Sequence, residues 1–466
     1  MRILAAAGKS DKQLKAVKPQ TDQTSLKIDS ASISQLPSFP NETFSTCKPS
    51  QASCIFSKTK TPVRSPLSTP LVKRLETLAV FLHGSSIVVL PFIYFYLWCY
   101  PFMWPFLLVY TFRFYLFDRT PSNGNALNRY SRSMSNWGLY KHFANYYPVR
   151  LHRSKELSPT KTPIKVELEE FDIPPLFASV TPNFLLSSLF RWKVIQKRKK
   201  TVERETITGP RYIFGYHPHG VIAMGVFAGF ATEGAGFSKL FPGIRCFVTT
   251  LVNQFQLPFY RDYLMSLGCT AVTKKNISSL LDKGHSVVIV VGGASESLLA
   301  KPHLNSIVLK RRKGFVKLAL QASGRFNNDD ICLVPVYAFG ENNIYDVYYT
   351  NETENSNNKN DGYIRQLLKW FQLRLKKNFG FTLPIIVSRG LLNYDFGLLP
   401  HRRPIHIVTG APITVRRLHG RKYGDVVSPE EIDYYHSLYV QALQELFATY
   451  KDKYLLEHDR DLNIVE

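Results

Sequence analysis

The sequence predicts an α/β domain with a mainly parallel sheet, preceded by an apolar hairpin. Three observations carry this. Val- and Ile-rich runs such as Ser286–Val291 and Ile331–Phe339 recur between amphipathic stretches from Gly209 onward, the pattern of strands buried on both faces by crossover helices. Several of these runs end in glycine beside a histidine or a glutamate, and the carboxyl ends of strands are where open α/β sheets bind ligands. Between Glu76 and Arg113 no side chain is formally charged, which suits lipid rather than water.

At 466 residues the chain has room for one large domain or two ordinary ones. Its 59 Lys and Arg against 35 Asp and Glu leave a net charge of +24, which favours an anionic partner: nucleic acid, acidic membrane or a phosphate-rich cofactor. Aromatic residues make up 13%, which fits contact with lipid. Cys47, Cys54, Cys99, Cys246, Cys269 and Cys332 show no framework spacing, so they read as reduced thiols of a cytosol-facing protein. Asn41 and Asn351 each open a glycosylation pattern, inert outside the secretory lumen.

In chain order, residues 1–70 are rich in Ser, Thr, Lys, Pro and Gln and bury too little to offset their ordering entropy, so a disordered tail is expected. Residues 71–120 are the hairpin. Leu78–Leu97 is long enough for one span, whereas Pro101–Phe112 is too short for a second, so a tight, kinked hairpin is expected. Lys73 and Arg74 precede it, and Arg113, Arg119, Arg129 and Arg132 follow, which by the positive-inside rule puts both ends in the cytosol. Residues 121–466 form the cytosol-facing domain. Within it, about 153–208 reads as an insertion or surface arm, acidic at Glu167–Glu170 and basic at Lys197–Lys200. From Gly209 a strand runs to Tyr216, and a small-residue helix is expected from Val221 to about Thr232. Strands follow at Cys246–Leu251, Ser286–Val291, Ile331–Phe339 and Ile405–Val408. Helices are expected at Arg261–Leu267, Ile277–Lys283, Gly314–Ser323, Leu367–Lys376 and Glu430–Tyr454. Asn351–Asp361 is a polar loop.

The chemistry gathers at His217-Pro218-His219-Gly220. Proline fixes its own φ and holds His217 extended, and Gly220 permits a sharp exit. Two imidazoles therefore sit on a stiff corner at a strand end, where a histidine serves as general base near neutral pH. No CxxC, HExxH or carboxylate cluster accompanies them, so no metal is expected. An isolated His-Pro-His-Gly would be a polar turn. Three features join it: Gly292-Gly293 followed by Glu296, the cations Lys310 to Lys313 at a helix start, and Gly340-Glu341 after a buried strand. Arg312 and Lys313 there suit a phosphate clamp, because a helix N-terminus adds its own attraction for anions. A packed sheet asks for one such strand end rather than several. Neither a Gly-x-Ser-x-Gly nor a Walker A sequence is present.

Tyr212–Gly220, Gly292–Glu296, Arg312–Phe315, Leu333–Val336 with Phe339–Glu341, and Gly410–Ile413, in that order, resemble the type-2 diacylglycerol acyltransferase family from about Pro70 to Tyr454. Tyr146-Tyr147-Pro148 stands where members often carry Tyr-Phe-Pro, and Arg153–Thr208 is longer than in animal members. The resemblance implies an acyltransferase-like fold and an enzyme of the endoplasmic reticulum membrane and lipid droplets that makes triacylglycerol. Acyl-CoA would be the co-substrate and diacylglycerol the acceptor, with membrane lipid as partner, no bound cofactor and no nucleic acid. It implies His219 as the base, with His217 orienting it or the substrate. Glu296 is the first choice of carboxylate partner and Glu341 the second. Gly292, Gly293, Arg312, Lys313, Glu341, Tyr147 and Pro148 would bind substrate. The His-x-x-x-x-Asp pair of the related glycerophosphate acyltransferases is absent: the equivalent positions are Ile222 and Met224. A monoacylglycerol or long-chain-alcohol acyltransferase would use the same machinery. A non-catalytic lipid- or nucleic-acid-binding protein fits the charge but leaves the histidine corner unexplained. A homo-oligomer stays open.

Overall fold

A computed structural model describes residues 65–66, 68–171, 197–325, 331–348, 385–394, 397–418, 423–455 and 461–465, with Trp370 and Arg374 as isolated helical positions. The expected tail up to residue 64, the loop Asn351–Asp361 and the rest of the expected helix Leu367–Lys376 lie outside them. The helices used below are α1 (Leu71–Leu97), α2 (Trp104–Phe112), α3 (Gly138–Tyr146), α4 (Tyr260–Ser266), α5 (Lys274–Asp282), α6 (Gly314–Ala322) and α7 (Pro429–Tyr454). The strands are β1 (Val149–Arg153), β2 (Lys161–Phe171), β3 (Lys197–Ile207), β4 (Arg211–His217), β5 (Cys246–Thr250), β6 (Cys269–Ala271), β7 (Ser286–Val290), β8 (Ser306–Val308), β9 (Ile331–Phe339), β10 (Asp346–Tyr348), β11 (Ile385–Val387), β12 (Ile405–Thr409), β13 (Ile413–Val415) and β14 (Asn463–Val465).

One sheet runs β1-β12-β9-β4-β7-β5-β6, with β13 also on β9. β4 is parallel to both β7 and β9, β5 to β6 and β7, and β1 to β12. Only β12 and β13 run antiparallel to β9. The sheet is therefore mainly parallel, as its unalternating apolar strands require. β4 and β9 are buried at every position. Tyr212, Phe214 and Tyr216 join a core with Ala79, Val80, Phe143, Tyr147 and Phe227 on one face. Ile213 joins Phe315, Tyr439, Leu443 and Phe447 on the other. Because strand side chains alternate, His217 continues the second set, toward α6 and α7, while Tyr216 points to the first.

Most expected elements are observed within a few residues of their bounds. The helix after the histidine corner is a correction: it begins at Met224 rather than Val221, continuing as a π-helical turn Phe227–Ala231. Gly220 (φ +60°) and Ala223 (φ +54°) are left-handed, so residues 218–223 form a loop that no right-handed helix can absorb. The arm contains a ribbon in which β2 pairs antiparallel with β3, setting Glu169 opposite Lys199 and Glu170 opposite Arg198. The acidic and basic runs thus occupy facing registers. The four described cysteines, Cys99, Cys246, Cys269 and Cys332, form no disulfide.

Among the described residues α1 is the one helix long and apolar enough to cross a membrane. At about 1.5 Å per residue, α2 falls well short of the roughly 30 Å hydrocarbon layer. Tyr94 and Thr111 close the hairpin through their hydroxyls (2.5 Å). Val88, Phe92, Phe95, Phe102, Phe106 and Val109 are each more than half exposed. The opposite face is fastened to the domain. Buried Glu76 pairs with Lys73 (3.0 Å) and with Arg402, Tyr110 donates to Asp262 (2.7 Å), and His83 meets the Tyr263 hydroxyl (2.9 Å) while stacking on Phe227.

Candidate active site

β4 delivers the corner from the middle of the sheet, and the His217–Pro218 peptide is cis. His217 is fully buried. The Tyr439 hydroxyl donates to Gly215 O (3.0 Å) and lies 3.1 Å from His217 Nε2. That hydroxyl has one proton, so His217 Nε2–H is the donor in the second bond. Nδ1 is left as a buried acceptor without a partner. Burial pushes the pKa of His217 down to about 3, so it stays neutral.

His219 is partly exposed. Its Nδ1 lies 3.0 Å from Gly220 O. A carbonyl only accepts, so Nδ1 carries the proton and Nε2 presents its lone pair. Burial lowers the pKa of His219, and the Gly220 bond opposes this. The neutral, proton-accepting form therefore prevails at neutral pH.

Two glutamates brace the corner. Glu296 is buried; Oε1 accepts the backbone N–H of His219 and Oε2 that of Val308 (2.8 Å). This differs from the expected pairing of Glu296 with the imidazole: the carboxylate meets the main chain of His219, and its one hydrogen bond to β8 ties the corner to that strand, which pairs with β14 outside the main sheet. A side chain at Gly292 would overlap the Glu296 carboxylate, so glycine there is a condition of the brace. Gly293 has φ +60° and opens the short helical turn that carries Glu296. Glu341, also fully buried, accepts from the Tyr216 hydroxyl (2.9 Å) and from Gly225 N–H (3.0 Å). It therefore ties the end of β4 to the helical turn beyond the loop. Burial raises the pKa of both glutamates to about 7, against the pull of those donors.

The other expected residues divide. Exposed Arg312 donates to Gly292 O (3.3 Å) and Ser295 Oγ (3.2 Å), which keeps a cation beside the glycine turn and at the start of α6. Lys313 is drawn away to Asp433 (2.6 Å). Tyr147 is wholly buried against Phe143 and Tyr146, its hydroxyl without a partner, and burial and the nearby Glu341 raise its pKa. Pro148 is exposed. Sequence reasoning missed Tyr439, whose one visible signal is a phenol on the apolar stripe of α7 with Tyr435, Leu443 and Phe447. Among the described residues no group of three or more His, Cys, Asp or Glu could hold a metal ion.

The arrangement offers one unprotonated imidazole nitrogen on a partly exposed ring, His219 Nε2, on a braced corner, with a guanidinium nearby; the other, His217 Nδ1, is sealed in the core. That is equipment for deprotonating an alcohol beside an anionic group. A family model described as diacylglycerol acyltransferase matches residues 95–165 and 195–465. Diacylglycerol O-acyltransferase 1 of Eremothecium gossypii is 42% identical over 404 residues, covering 86% of this chain and 80% of its own. Diacylglycerol O-acyltransferase 1 of Saccharomyces cerevisiae is 40% identical over 405 residues, covering 86% and 88%. The 2-acylglycerol O-acyltransferase 1 of Bos taurus is 33% identical over 412 residues, covering 85% and 98%. No solved structure matches. On these matches the chain belongs to the diacylglycerol acyltransferase family.

Proposed function

We propose that the chain transfers a fatty acyl group from acyl-CoA to the free hydroxyl of diacylglycerol, making triacylglycerol at the cytosolic face of the endoplasmic reticulum and on lipid droplets. The observation that carries the chemistry is the Nδ1–H bond of His219 to Gly220 O, which reserves Nε2 for the acceptor. His219 Nε2 takes the hydroxyl proton as the alkoxide oxygen attacks the thioester carbonyl. The tetrahedral intermediate then collapses, the C–S bond breaks, and the leaving thiolate takes the proton back from the imidazolium. The products are the new ester and CoA, with His219 neutral again. In this reading His217 positions the corner through Tyr439, Glu296 holds the backbone of His219, and Glu341 ties the end of β4 to the turn beyond the loop.

Arg312, with exposed Lys310 and Arg311 at the start of α6, suits the CoA phosphates, because fixed cations and a helix N-terminus favour the same anion. Its hydrogen-bond partners, Gly292 O and Ser295 Oγ, are neutral, and the Glu296 carboxylate feels its charge without a direct ion pair. Lys313, already paired with Asp433, contributes less. In this reading Tyr147 and Pro148, at the junction of α3 and β1, serve the acceptor. α1 anchors the domain in the bilayer or in the monolayer of a droplet, with both termini in the cytosol.

The bovine 2-acylglycerol acyltransferase relative favours one second reading, a monoacylglycerol acceptor. Microsomes containing the chain, given labelled acyl-CoA with diacylglycerol, monoacylglycerol or fatty alcohol, decide between them. Triacylglycerol should be the dominant product from diacylglycerol. Preferential labelling of diacylglycerol from monoacylglycerol would replace this reading with the second.

A further inference from the structure

The segment between β11 and β12 is closed at its base by Arg389 and Leu399, which exchange backbone hydrogen bonds (3.0 and 2.8 Å). Leu399 packs against the core of the α1 face. Above that base the chain turns outward. Gly390 N–H bonds to Asn393 O (2.8 Å), folding Leu391 and Leu392 into a tight bend where they are 42% and 64% exposed, while Leu398 is 75% exposed. Bends in water favour Gly, Asn, Asp and Pro, and three bare leucines on one small loop form an apolar patch of the kind that marks contact with a partner or a membrane.

The neighbours of the patch identify its occupant. Leu392 O accepts from Ser65 N–H (2.9 Å) and the Tyr394 hydroxyl donates to Ser65 (3.1 Å), so the loop lies against the chain just ahead of α1. Arg402, past its base, binds Lys73 O (2.6 Å), the Thr77 hydroxyl (2.8 Å) and Glu76 in the first turns of α1. Leu71 and Val72 of those turns are 71% and 53% exposed. The leucine tips are thus continuous with the end at which α1 meets the membrane surface, a basic end where Lys73 and Arg402 share Glu76 and Arg74 holds Pro66 O and Thr69 O. Apolar tips next to long basic side chains are the composition of a segment that inserts at the lipid interface.

We infer that the Leu391–Leu392 bend and Leu398 are a second membrane contact, dipping into the lipid surface beside α1; this rests on the reading of α1 as the membrane anchor. Its consequence concerns the acceptor. Pro400 O takes the Tyr146 hydroxyl (2.6 Å), and His401 N–H donates to Ile344 O (2.7 Å) at the end of the turn that begins with Glu341. The loop therefore connects the lipid surface to the brace beneath the histidine corner, and two contacts instead of one fix the tilt of the catalytic face over the membrane. A lipid with two apolar tails and one hydroxyl at the interface is the substrate such a tilt serves.

The test uses the full chain in phosphatidylcholine vesicles, with Cys47, Cys54, Cys99 and Cys246 replaced by serine. Single cysteines (Leu392→Cys, Leu398→Cys, Phe92→Cys and Gln444→Cys) carry an environment-sensitive fluorophore. Labels at residues 392, 398 and 92 should show blue-shifted emission that nitroxide lipids quench, and the label at residue 444, on the outer face of α7 across the sheet, should stay water-like. Water-like emission at 392 and 398 with quenching at 92 would overturn the loop contact and leave the anchor standing. Water-like emission at all three would remove the anchor and the inference together. Blue-shifted but unquenched labels at 392 and 398 would mean that protein, such as a second copy of the chain, covers the patch, and would overturn a lipid contact.

Discussion

Replacing Glu296 by glutamine keeps the shape of the side chain and removes half of its accepting power. Both carboxylate oxygens receive a backbone N–H, one from His219 and one from Val308. A glutamine amide must turn its NH2 toward one of them, so two donors face each other in a site with almost no solvent. A buried donor left unsatisfied costs about 1–3 kcal/mol. With each ~1.4 kcal/mol worth tenfold in rate, kcat should fall roughly 5- to 150-fold if the cost is felt where His219 meets the transition state. The KM for acyl-CoA should change less than kcat, since the bonds of the brace go to the backbone of His219 and Val308, while Arg312 keeps its own bonds to Gly292 O and Ser295.

The pH dependence of this variant follows from the same contacts. Burial raises the pKa of Glu296 to about 7, so the wild-type carboxylate is charged above that pH and gains a proton as pH falls through it. The added proton takes one oxygen from its N–H donor, and activity should decline. Below that range His219, whose own pKa is depressed, is protonated in turn. Glutamine does not titrate, so the decline near pH 7 should be shallower in the variant, with Glu341, likewise pushed to about 7, still contributing. Initial rates in microsomes across the neutral range at matched expression provide the assay. A kcat within twofold of wild type at about pH 8, where the brace is charged, would refute the argument that Glu296 holds the base in place.

Three further outcomes are expected. Arg312→Ala should raise the apparent KM for acyl-CoA more than that for diacylglycerol, and equal effects on both would remove the phosphate clamp. Tyr439→Phe leaves His217 Nε2 and Gly215 O buried without their shared hydroxyl, a loss of about 1–3 kcal/mol. It should lower Tm and reduce kcat less than loss of His219 does; an unchanged Tm would deny Tyr439 its bridging role. Deleting residues 1–62, which carry none of the motifs, should leave specific activity within a factor of a few in membranes holding equal protein, and total loss would contradict that.

The sheet was readable from sequence because burial on both faces leaves a one-dimensional trace. Ile331–Phe339 is apolar throughout, and its observed bounds are the expected ones. The helix at Glu430–Tyr454 lacked only Pro429, and Ser428 with Glu431 forms its capping box. The histidine corner and the strand-end glutamates were visible as residue types. What they touch was not. Whether Glu296 meets the ring or the amide of His219 depends on side-chain direction at two strand ends, which spacing does not encode. Tyr439 reaches His217 from 222 residues away, and a phenol on an apolar helix stripe does not name its partner. The left-handed Ala223 carries no local sign, since alanine favours the helix that the sequence predicts there. The fastening of the hairpin through Glu76 and Arg402 was hidden for a related reason: an acidic residue at the edge of an apolar run reads as its boundary.

The most direct measurement is kcat of His219→Ala in microsomes, at matched expression and membrane insertion, with saturating diacylglycerol and acyl-CoA. Losing a general base costs on the order of 10² to 10⁴ in rate, so kcat should fall by that order while acyl-CoA binding holds and the far-UV spectrum is unchanged. His217→Ala should cost less, because that ring is sealed against Tyr439 and acts through the corner. A His219→Ala enzyme that keeps near wild-type kcat would contradict the account, since no other imidazole on this corner offers a free Nε2 to the acceptor.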